Sequence, residues 1–155
     1  METREHLRRL DEVWLKAPVY FLTICTARRQ QVLASPHAAR VLIEAWQQSA
    51  VFHGWRVGRY CVMPDHVHFF AAQAAEIKSL SAFVGDWKKW TSRQLRESKF
   101  AGEKLWQAEF FDHVLRSKLS YEDKWQYVRL NPVRAGLVVR AEEWPFAGEC
   151  EPLLF

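Results

Sequence analysis

The chain of 155 residues is hydrophobic at 49% of its positions and contains eight tryptophans and ten phenylalanines, which excludes an intrinsically disordered protein. That length predicts one domain with its own hydrophobic core. The net charge of +4 is compatible with an anionic partner such as nucleic acid, although many basic proteins bind none.

Neither a membrane span nor a disulfide framework is indicated. The longest apolar run, residues 18–25, is far shorter than the roughly 20 residues that cross a bilayer, and no signal peptide with a cleavage site is recognisable. The cysteines Cys25, Cys61 and Cys150 are odd in number, lack CxxC spacing and are typical of reduced cytosolic thiols. We therefore expect a cytoplasmic protein without a membrane partner.

The chain divides into a charged N-terminal arm over residues 1–16, a globular domain over 17–140 and a tail over 141–155, whose apolar residues predict that it packs back onto the domain. The predicted elements of the domain are a strand over 18–26, a helix over 36–51, strands over 55–63 and 66–72, a helix over 77–97, a strand over 104–115 and a final helix from about 121. The order β-α-β-β-α-β is the split ferredoxin-like arrangement. We expect an α+β, ferredoxin-like single domain with an additional C-terminal helix.

Two histidines lie at alternate positions of the third predicted strand. Successive side chains of a strand point to opposite faces, so His66 and His68 project together while Val67 points the other way. Two neutral imidazoles on one face can hold a metal ion. A half-buried strand that happens to carry two histidines explains this short motif equally well.

The final helix combines a tyrosine and an asparagine at helical spacing. Ser120, followed by an acidic residue three positions on, predicts the N-cap, and Pro132 predicts the end. Tyr127 and Asn131 are four residues apart and share one face, as a nucleophile and an amide ligand would need. Taken alone, a tyrosine in such a helix is more often a packed amphipathic residue.

Together these segments resemble a known family. The chain is similar to the tyrosine transposases of the His-hydrophobic-His endonuclease superfamily, and most of all to the stand-alone bacterial REP-associated tyrosine transposases. The matching stretches run in the family's order, over residues 20–29, 60–68, 105–116 and 127–136. The combination is specific although each stretch alone is not.

The resemblance implies a role for each motif. His66 and His68 correspond to the metal-binding pair, Asn131 to the third ligand and Tyr127 to the attacking tyrosine, with Mg²⁺ or Mn²⁺ as cofactor. The implied activity is a metal-dependent single-stranded DNA endonuclease and strand transferase that cleaves near hairpins, through a 5′-phosphotyrosine intermediate, in DNA transposition and recombination. The partner is single-stranded or hairpin DNA, and the protein is expected to be a monomer or a homodimer.

The chain departs from the family's pattern at two positions. Asp65 stands where many members carry asparagine, and adds negative charge beside the histidine pair. Asn131 replaces the glutamine of many insertion-sequence relatives, which fits the stand-alone group. Neither departure alters His66, His68 or Tyr127.

Basic residues near these elements are candidates for contacts with DNA phosphates. The candidates are Arg8, Arg9, Arg28, Arg29, Lys88, Lys89, Arg93, Arg116, Lys124, Arg129 and Arg134. A basic stripe such as Lys89, Arg93 and Arg96 is more often only the solvated face of a helix.

Two alternative functions stay open at the level of sequence. The first is a hairpin-DNA-binding regulator that has lost transposition activity. The second is a zinc-dependent hydrolase with three histidine ligands, in which His113 would join His66 and His68.

Overall fold

The computed structural model describes residues 18–96 and 104–154. The predicted N-terminal arm, with Arg8 and Arg9, lies outside the described residues. Within them, no helix has the length and apolar character required to span a bilayer.

Five strands and five helices carry the described fold. The strands are β1 (Val19–Cys25), β2 (Trp55–Val62), β3 (His66–Gln73), β4 (Phe111–Leu115) and β5 (Ala147–Glu149). The helices are α1 (Pro36–Gln47), α2 (Ser49–His53), α3 (Leu80–Gln94), α4 (Lys118–Arg129) and α5 (Asn131–Arg134). The strands form one antiparallel sheet in the order β4-β1-β3-β2-β5. Its first four strands have the ferredoxin-like order, so the predicted fold class is confirmed.

One face of the sheet is covered by α1 and α3. Alternate residues of the central strands are fully buried there: Leu22 and Ile24 of β1, and Val67, Phe69 and Ala71 of β3. Trp46 of α1 and Trp87 of α3 stack in parallel with ring centroids 5.3 Å apart. This layer is a closed core, which we call the first core.

The opposite face carries a smaller second core beneath α4 and the C-terminal residues. Phe21 and Phe70 of the sheet pack there with Tyr121 and Val128 of α4. The tail joins this side, because β5 pairs with β2 and the Trp144 indole donates to the carbonyl of Val62 at 3.0 Å. The prediction that the tail packs onto the domain is confirmed.

The predicted fourth strand is too long at its start. Residues 104–110 contain only an isolated antiparallel bridge, between Trp106 and Thr26, and β4 covers only Phe111–Leu115. The reason is that Trp106 turns into the first core and donates to Thr91 Oγ1 at 3.0 Å. The Lys88 ammonium satisfies the carbonyls of residues 107–109 in place of a neighbouring strand.

Helix boundaries also differ from the prediction. The last long helix begins three residues early, because Ser117 and not Ser120 is its N-cap; Ser120 is the third helical residue and completes a capping box with Ser117. The first predicted helix is broken at Gln48 into α1 and α2, and α2 ends at Gly54 with φ 74° as expected. Ser79 caps α3, which therefore begins at Leu80 and not at residue 77.

Candidate metal and nucleophile site

The paired histidines lie at the start of β3, directly after the turn that joins it to β2. Met63 N–H donates to the His66 carbonyl at 2.8 Å and closes this turn. Strand alternation places His66 and His68 on the face of the second core, with their rings 4.7 Å apart and nearly perpendicular. The predicted common orientation of the two side chains is confirmed.

His68 is held by the neighbouring strand β1. Its Nδ1 lies 2.9 Å from Thr23 Oγ1, and its ring stacks on Phe21 with centroids 5.3 Å apart. Burial is the largest cause that lowers the pKa of His68 to about 3, and the positive charges of Lys124, Arg134 and Arg29 act in the same direction. The imidazole is therefore neutral at physiological pH, and Nε2 remains as the nitrogen that could bind a metal.

His66 is oriented by its own neighbour in the chain. The Asp65 carboxylate lies 2.7 Å from His66 Nδ1 and accepts a second hydrogen bond from Arg29 Nε at 2.8 Å. Burial alone would raise the pKa of Asp65, but hydrogen bonds from Arg29 and His66 outweigh it and lower the pKa. An ionised Asp65 fixes the proton of His66 on Nδ1, so that the lone pair of Nε2 is available.

Asn131, which is 65 residues away in the sequence, lies beside Nε2 of His66. Its side-chain amide nitrogen lies 3.3 Å from His66 Nε2, and rotation of the amide would present the oxygen instead. Neighbouring ligands around an octahedral Mg²⁺, at about 2.1 Å from the ion, are about 3.0 Å apart. The spacing between His66 and the Asn131 amide is close to that value, and imidazole nitrogens and an amide oxygen are donor types that a divalent cation accepts.

Tyr127 lies on α4, one helical turn before Asn131, and 62% of its surface is exposed. The Arg134 guanidinium covers its ring at 4.0 Å, and the Lys124 ammonium lies 5.6 Å from the ring centroid. Lys124 also lies 4.7 Å from the ring of Phe21, against which His68 stacks. A chain of contacts thus runs from Tyr127 through Lys124 and Phe21 to His68.

The predicted DNA-contacting residues fall into three groups. Arg29, Lys124 and Arg134 surround the site, and their charges act on His68. The exposed Arg28 and Arg116 follow β1 and β4, and Arg129 forms an ion pair with Glu142. The residues on α3, which covers the opposite face of the sheet, are Lys88, Lys89 and Arg93.

The three-histidine alternative does not form. His113 is exposed on β4, in register with Phe21 of β1, whereas His68 lies on β3 beyond that strand. In the part of the chain that the structure describes, no three His, Cys, Asp or Glu side chains are grouped to hold a metal ion. This result removes the basis for the zinc hydrolase.

Sequence reasoning missed the residues that orient the histidines. Thr23 contacts His68 only because of the register between β1 and β3, which the periodicity of a single strand does not give. Asp65 was noted as a charge near the pair, but its hydrogen bond to His66 and its link to Arg29 were not predicted. The available signal was an acidic residue adjacent to a candidate ligand.

The sheet carries the His-Val-His strand, and the tyrosine-bearing helix α4 packs across the same face. This arrangement agrees with the expected resemblance to the His-hydrophobic-His transposases. Residues 16–130 match the profile of the family described as "Transposase IS200 like". The match covers well over half of the chain, which therefore belongs to the IS200-like transposase family.

Relatives in this family support the more specific resemblance. The REP-associated tyrosine transposase of Escherichia coli is 24% identical over 136 residues, covering 86% of this chain and 78% of the relative. A Haemophilus influenzae protein provisionally described as a REP-associated tyrosine transposase is 22% identical over 141 residues, covering 85% and 80%. A solved REP-associated tyrosine transposase, bound to a REP hairpin, has the same fold, with a TM-score of 0.69 and 23% identity over 85% of this chain and 76% of that one.

Proposed function

We propose that the protein is a metal-dependent single-stranded DNA endonuclease and strand transferase that cleaves near hairpins. The observation that carries the proposal is the 3.3 Å contact between His66 Nε2 and the Asn131 amide. This contact joins the strand motif to the helix motif, 65 residues apart in the chain, and Tyr127 precedes Asn131 by one helical turn. A chance histidine pair or a merely amphipathic tyrosine does not account for such convergence.

His66, His68 and Asn131 would hold the divalent cation, Mg²⁺ or Mn²⁺. When bound, such an ion polarises the scissile phosphate and stabilises the charge that develops on the leaving oxygen. Asp65 accepts the Nδ1 proton of His66, and Thr23 occupies Nδ1 of His68, so that Nε2 of each imidazole is left for the ion. The site is therefore preorganised by side chains that do not themselves bind the ion.

The reaction is a transesterification at a DNA phosphodiester. The phenolic oxygen of Tyr127 bonds to phosphorus as the bond from phosphorus to the 3′ oxygen breaks; the phenol releases its proton and the 3′ oxygen gains one. A 5′-phosphotyrosine link results, and its phosphoester bond is preserved for a later attack by a DNA 3′ hydroxyl. Arg134 and Lys124, which flank the tyrosine ring, supply cationic donors for the remaining phosphate oxygens.

Hairpin DNA is the proposed substrate. The support is family membership together with a relative of the same fold that binds a REP hairpin. On this proposal the described basic residues that surround the site, Arg29, Lys124 and Arg134, contact DNA phosphates beside the cleavage position. Arg28, beside Arg29, and Arg116, at the other end of the sheet, stay as predicted contacts further along the DNA. The arm residues Arg8 and Arg9 stay as predicted contacts.

A covalent-adduct assay tests this function. Labelled single-stranded hairpins from DNA flanking the gene are incubated with Mg²⁺ or Mn²⁺ and resolved on a denaturing protein gel. We expect a metal-dependent shifted band that disappears in Tyr127→Phe, while the control Tyr20→Phe, on the opposite face of the sheet, retains it. Replacement of His66 or His68 by alanine should abolish the band with less effect on hairpin binding.

Two outcomes would contradict the proposal. An adduct that persists in Tyr127→Phe would show that another residue is the nucleophile. The second outcome is hairpin binding without any adduct. If that binding is also unchanged by metal and by replacement of His66, His68 and Tyr127, the protein is the hairpin-binding regulator.

A further inference from the structure

A groove lies between α2 and α3, on the outer side of the helical layer that covers the first core. It has a volume of about 510 Å³. Its principal lining side chains are Phe52, His53, Lys78, Lys89, Trp90 and Arg93. Because α3 packs on the face of the sheet opposite the histidine pair, this groove is separate from the proposed cleavage site.

A second groove continues from the first along α3. It has a volume of about 410 Å³ and shares Lys89 and Arg93 with the first groove. The additional cations that line it are Lys88, Arg96 and Lys104. We call the two grooves together the α3 track.

The α3 track is strongly positive. Among the described lining residues the one carboxylate is Asp86, which binds the Lys78 ammonium at 2.6 Å. Lys78 also donates to His53 Nδ1 at 2.7 Å, so this cluster is internally satisfied. Lys89 and Arg93 are exposed, and neither forms an ion pair with any residue that the structure describes, so their charges face solvent.

Exposed aromatic rings accompany these charges. Trp90 is 50% exposed and Phe52 is 61% exposed, both in the first groove, although other aromatic residues of α3 are buried in the first core. Trp90 immediately follows Lys89 and precedes Arg93 by three positions, so ring and charges share one side of the helix. Aromatic platforms within a positively charged groove are the features that bind single-stranded nucleic acid.

We infer that the α3 track binds single-stranded DNA that flanks the hairpin, with a base stacked on Trp90 and backbone phosphates at Lys89 and Arg93. The inference rests on the proposed function for the identity of the nucleic acid. It adds a second contact surface, which holds the strand on the face of the sheet away from Tyr127. The track binds by charge and stacking and therefore without strong sequence preference.

The test measures DNA binding separately from cleavage. All variants are made in the Tyr127→Phe background, and the probe is a labelled oligothymidylate of about 16 nucleotides, the upper range for one single-strand-binding fold. Trp90→Ala should weaken binding by about 5-fold to 150-fold, the range for loss of one stacked base, and Trp90→Phe should restore most of it. The half-exposed position of Trp90 allows both variants to fold, which thermal denaturation checks.

Salt dependence tests the phosphate contacts. Each phosphate contact to a single strand contributes about 0.7 to the slope of log affinity against log salt. The double variant Lys89→Ala/Arg93→Ala should therefore lose about 1.4 from that slope. The matched control Arg40→Ala removes an exposed cation of α1 outside the track and should leave the slope unchanged.

Unchanged affinity in Trp90→Ala together with an unchanged slope in the double variant would overturn the inference. Stronger binding of oligouridylate than of oligothymidylate would overturn the assignment to DNA. The covalent-adduct assay on a hairpin with short flanks is independent of the track. If that assay gives no adduct while oligothymidylate binding depends on Trp90, the proposed function is wrong, but the inference that the α3 track binds single-stranded DNA is still supported.

Discussion

At the scale of single residues, Asp65 sets the ring orientation and the tautomer of His66. It is ionised, held by Arg29, and accepts the Nδ1 proton of His66 at 2.7 Å. Arg29 and the preceding Arg28 adopt left-handed backbone angles, with φ 53° and 58°, which are unfavourable for residues other than glycine. The turn that places Arg29 against Asp65 is thus specified by tertiary contacts more than by its own sequence.

Replacement of Asp65 should therefore weaken metal binding. We expect Asp65→Ala to reduce Mn²⁺ affinity by about 10-fold to 100-fold, since nothing then fixes the tautomer of His66. Asp65→Asn keeps an oxygen acceptor at the same place and should retain most of the affinity. Calorimetric titration with Mn²⁺ measures both, and equal affinities for Asp65→Ala and the unaltered protein would contradict the assigned role.

The sequence predicts part of the site at this scale. Strand alternation correctly predicts that His66 and His68 share a face. The prediction that Tyr127 and Asn131 lie on one helix is wrong, because α4 ends at Arg129 and Asn131 is the first residue of α5. The sequence does not predict which strand borders the histidine pair, because register depends on packing across the whole sheet. Thr23 is therefore found only in the structure.

At the scale of secondary-structure elements, the capped N-terminus of α4 stabilises the helix that carries Tyr127, the proposed nucleophile. The Ser117 side chain accepts from Ser120 N–H, and the Ser120 hydroxyl lies within hydrogen-bond distance of Ser117 N–H. We expect Ser117→Ala to lower the free energy of unfolding by about 1 kcal/mol. Urea denaturation measures the loss; Ser92→Ala, within α3 and away from any cap, is the control and should change it much less.

The contact between α2 and α3 depends on a titratable cluster. His53, the last residue of α2, accepts a hydrogen bond from Lys78, which also binds Asp86 of α3. Burial and the charge of Lys78 lower the pKa of His53, so the folded state favours neutral His53. This contribution to stability is present above the unfolded-state pKa of about 6.5 and is lost as pH falls through the lower folded-state pKa.

A glutamine at position 53 should remove that pH dependence. Its amide oxygen can accept the Lys78 hydrogen bond without titrating. Between about pH 8 and about pH 5, the unaltered protein should lose more stability than His53→Gln, by less than about 1 kcal/mol because the cluster is partly exposed. Urea denaturation at both pH values measures the difference, and parallel losses would exclude the role of His53.

Element order was predictable while several boundaries were not. Periodicity predicts four strands and three helices of the ferredoxin-like order correctly. Residues 104–110 have strand-like composition, but their pairing is limited to a single bridge between Trp106 and Thr26, and the Lys88 ammonium binds the carbonyls that follow. A local sequence pattern does not predict that a lysine side chain will bind backbone carbonyls that a neighbouring strand would otherwise bind.

At the scale of the whole molecule, the sheet separates two surfaces of different character. One face carries the closed first core and the α3 track, and the other carries the candidate site beside the small second core. The second core depends on the tail, because Trp144 donates to Val62 at the end of β2, just before the turn that leads to His66. Tail packing and site geometry are therefore linked.

Removal of residues 141–155 should destabilise the protein and expose an edge of β2. We expect a loss of about 3–5 kcal/mol, the cost of removing a large aromatic side chain from a core, and self-association through the uncovered strand. Urea denaturation and size-exclusion chromatography measure the two effects. Deletion of Leu154 and Phe155 alone is the control, because Leu154 is 74% exposed; an equally stable, monomeric 141–155 deletion would show that the tail is dispensable.

Two thiols stand next to the histidine pair across the sheet, Cys25 opposite His66 and Cys61 opposite His68. Burial raises the pKa of Cys61 to about 12, so its sulfur stays protonated and is a poor ligand. A buried, protonated thiol is slow to react, so oxidation of Cys61 requires that the sheet first opens beside the histidine pair. The close packing of the second core therefore also protects the candidate site from oxidative damage at this position.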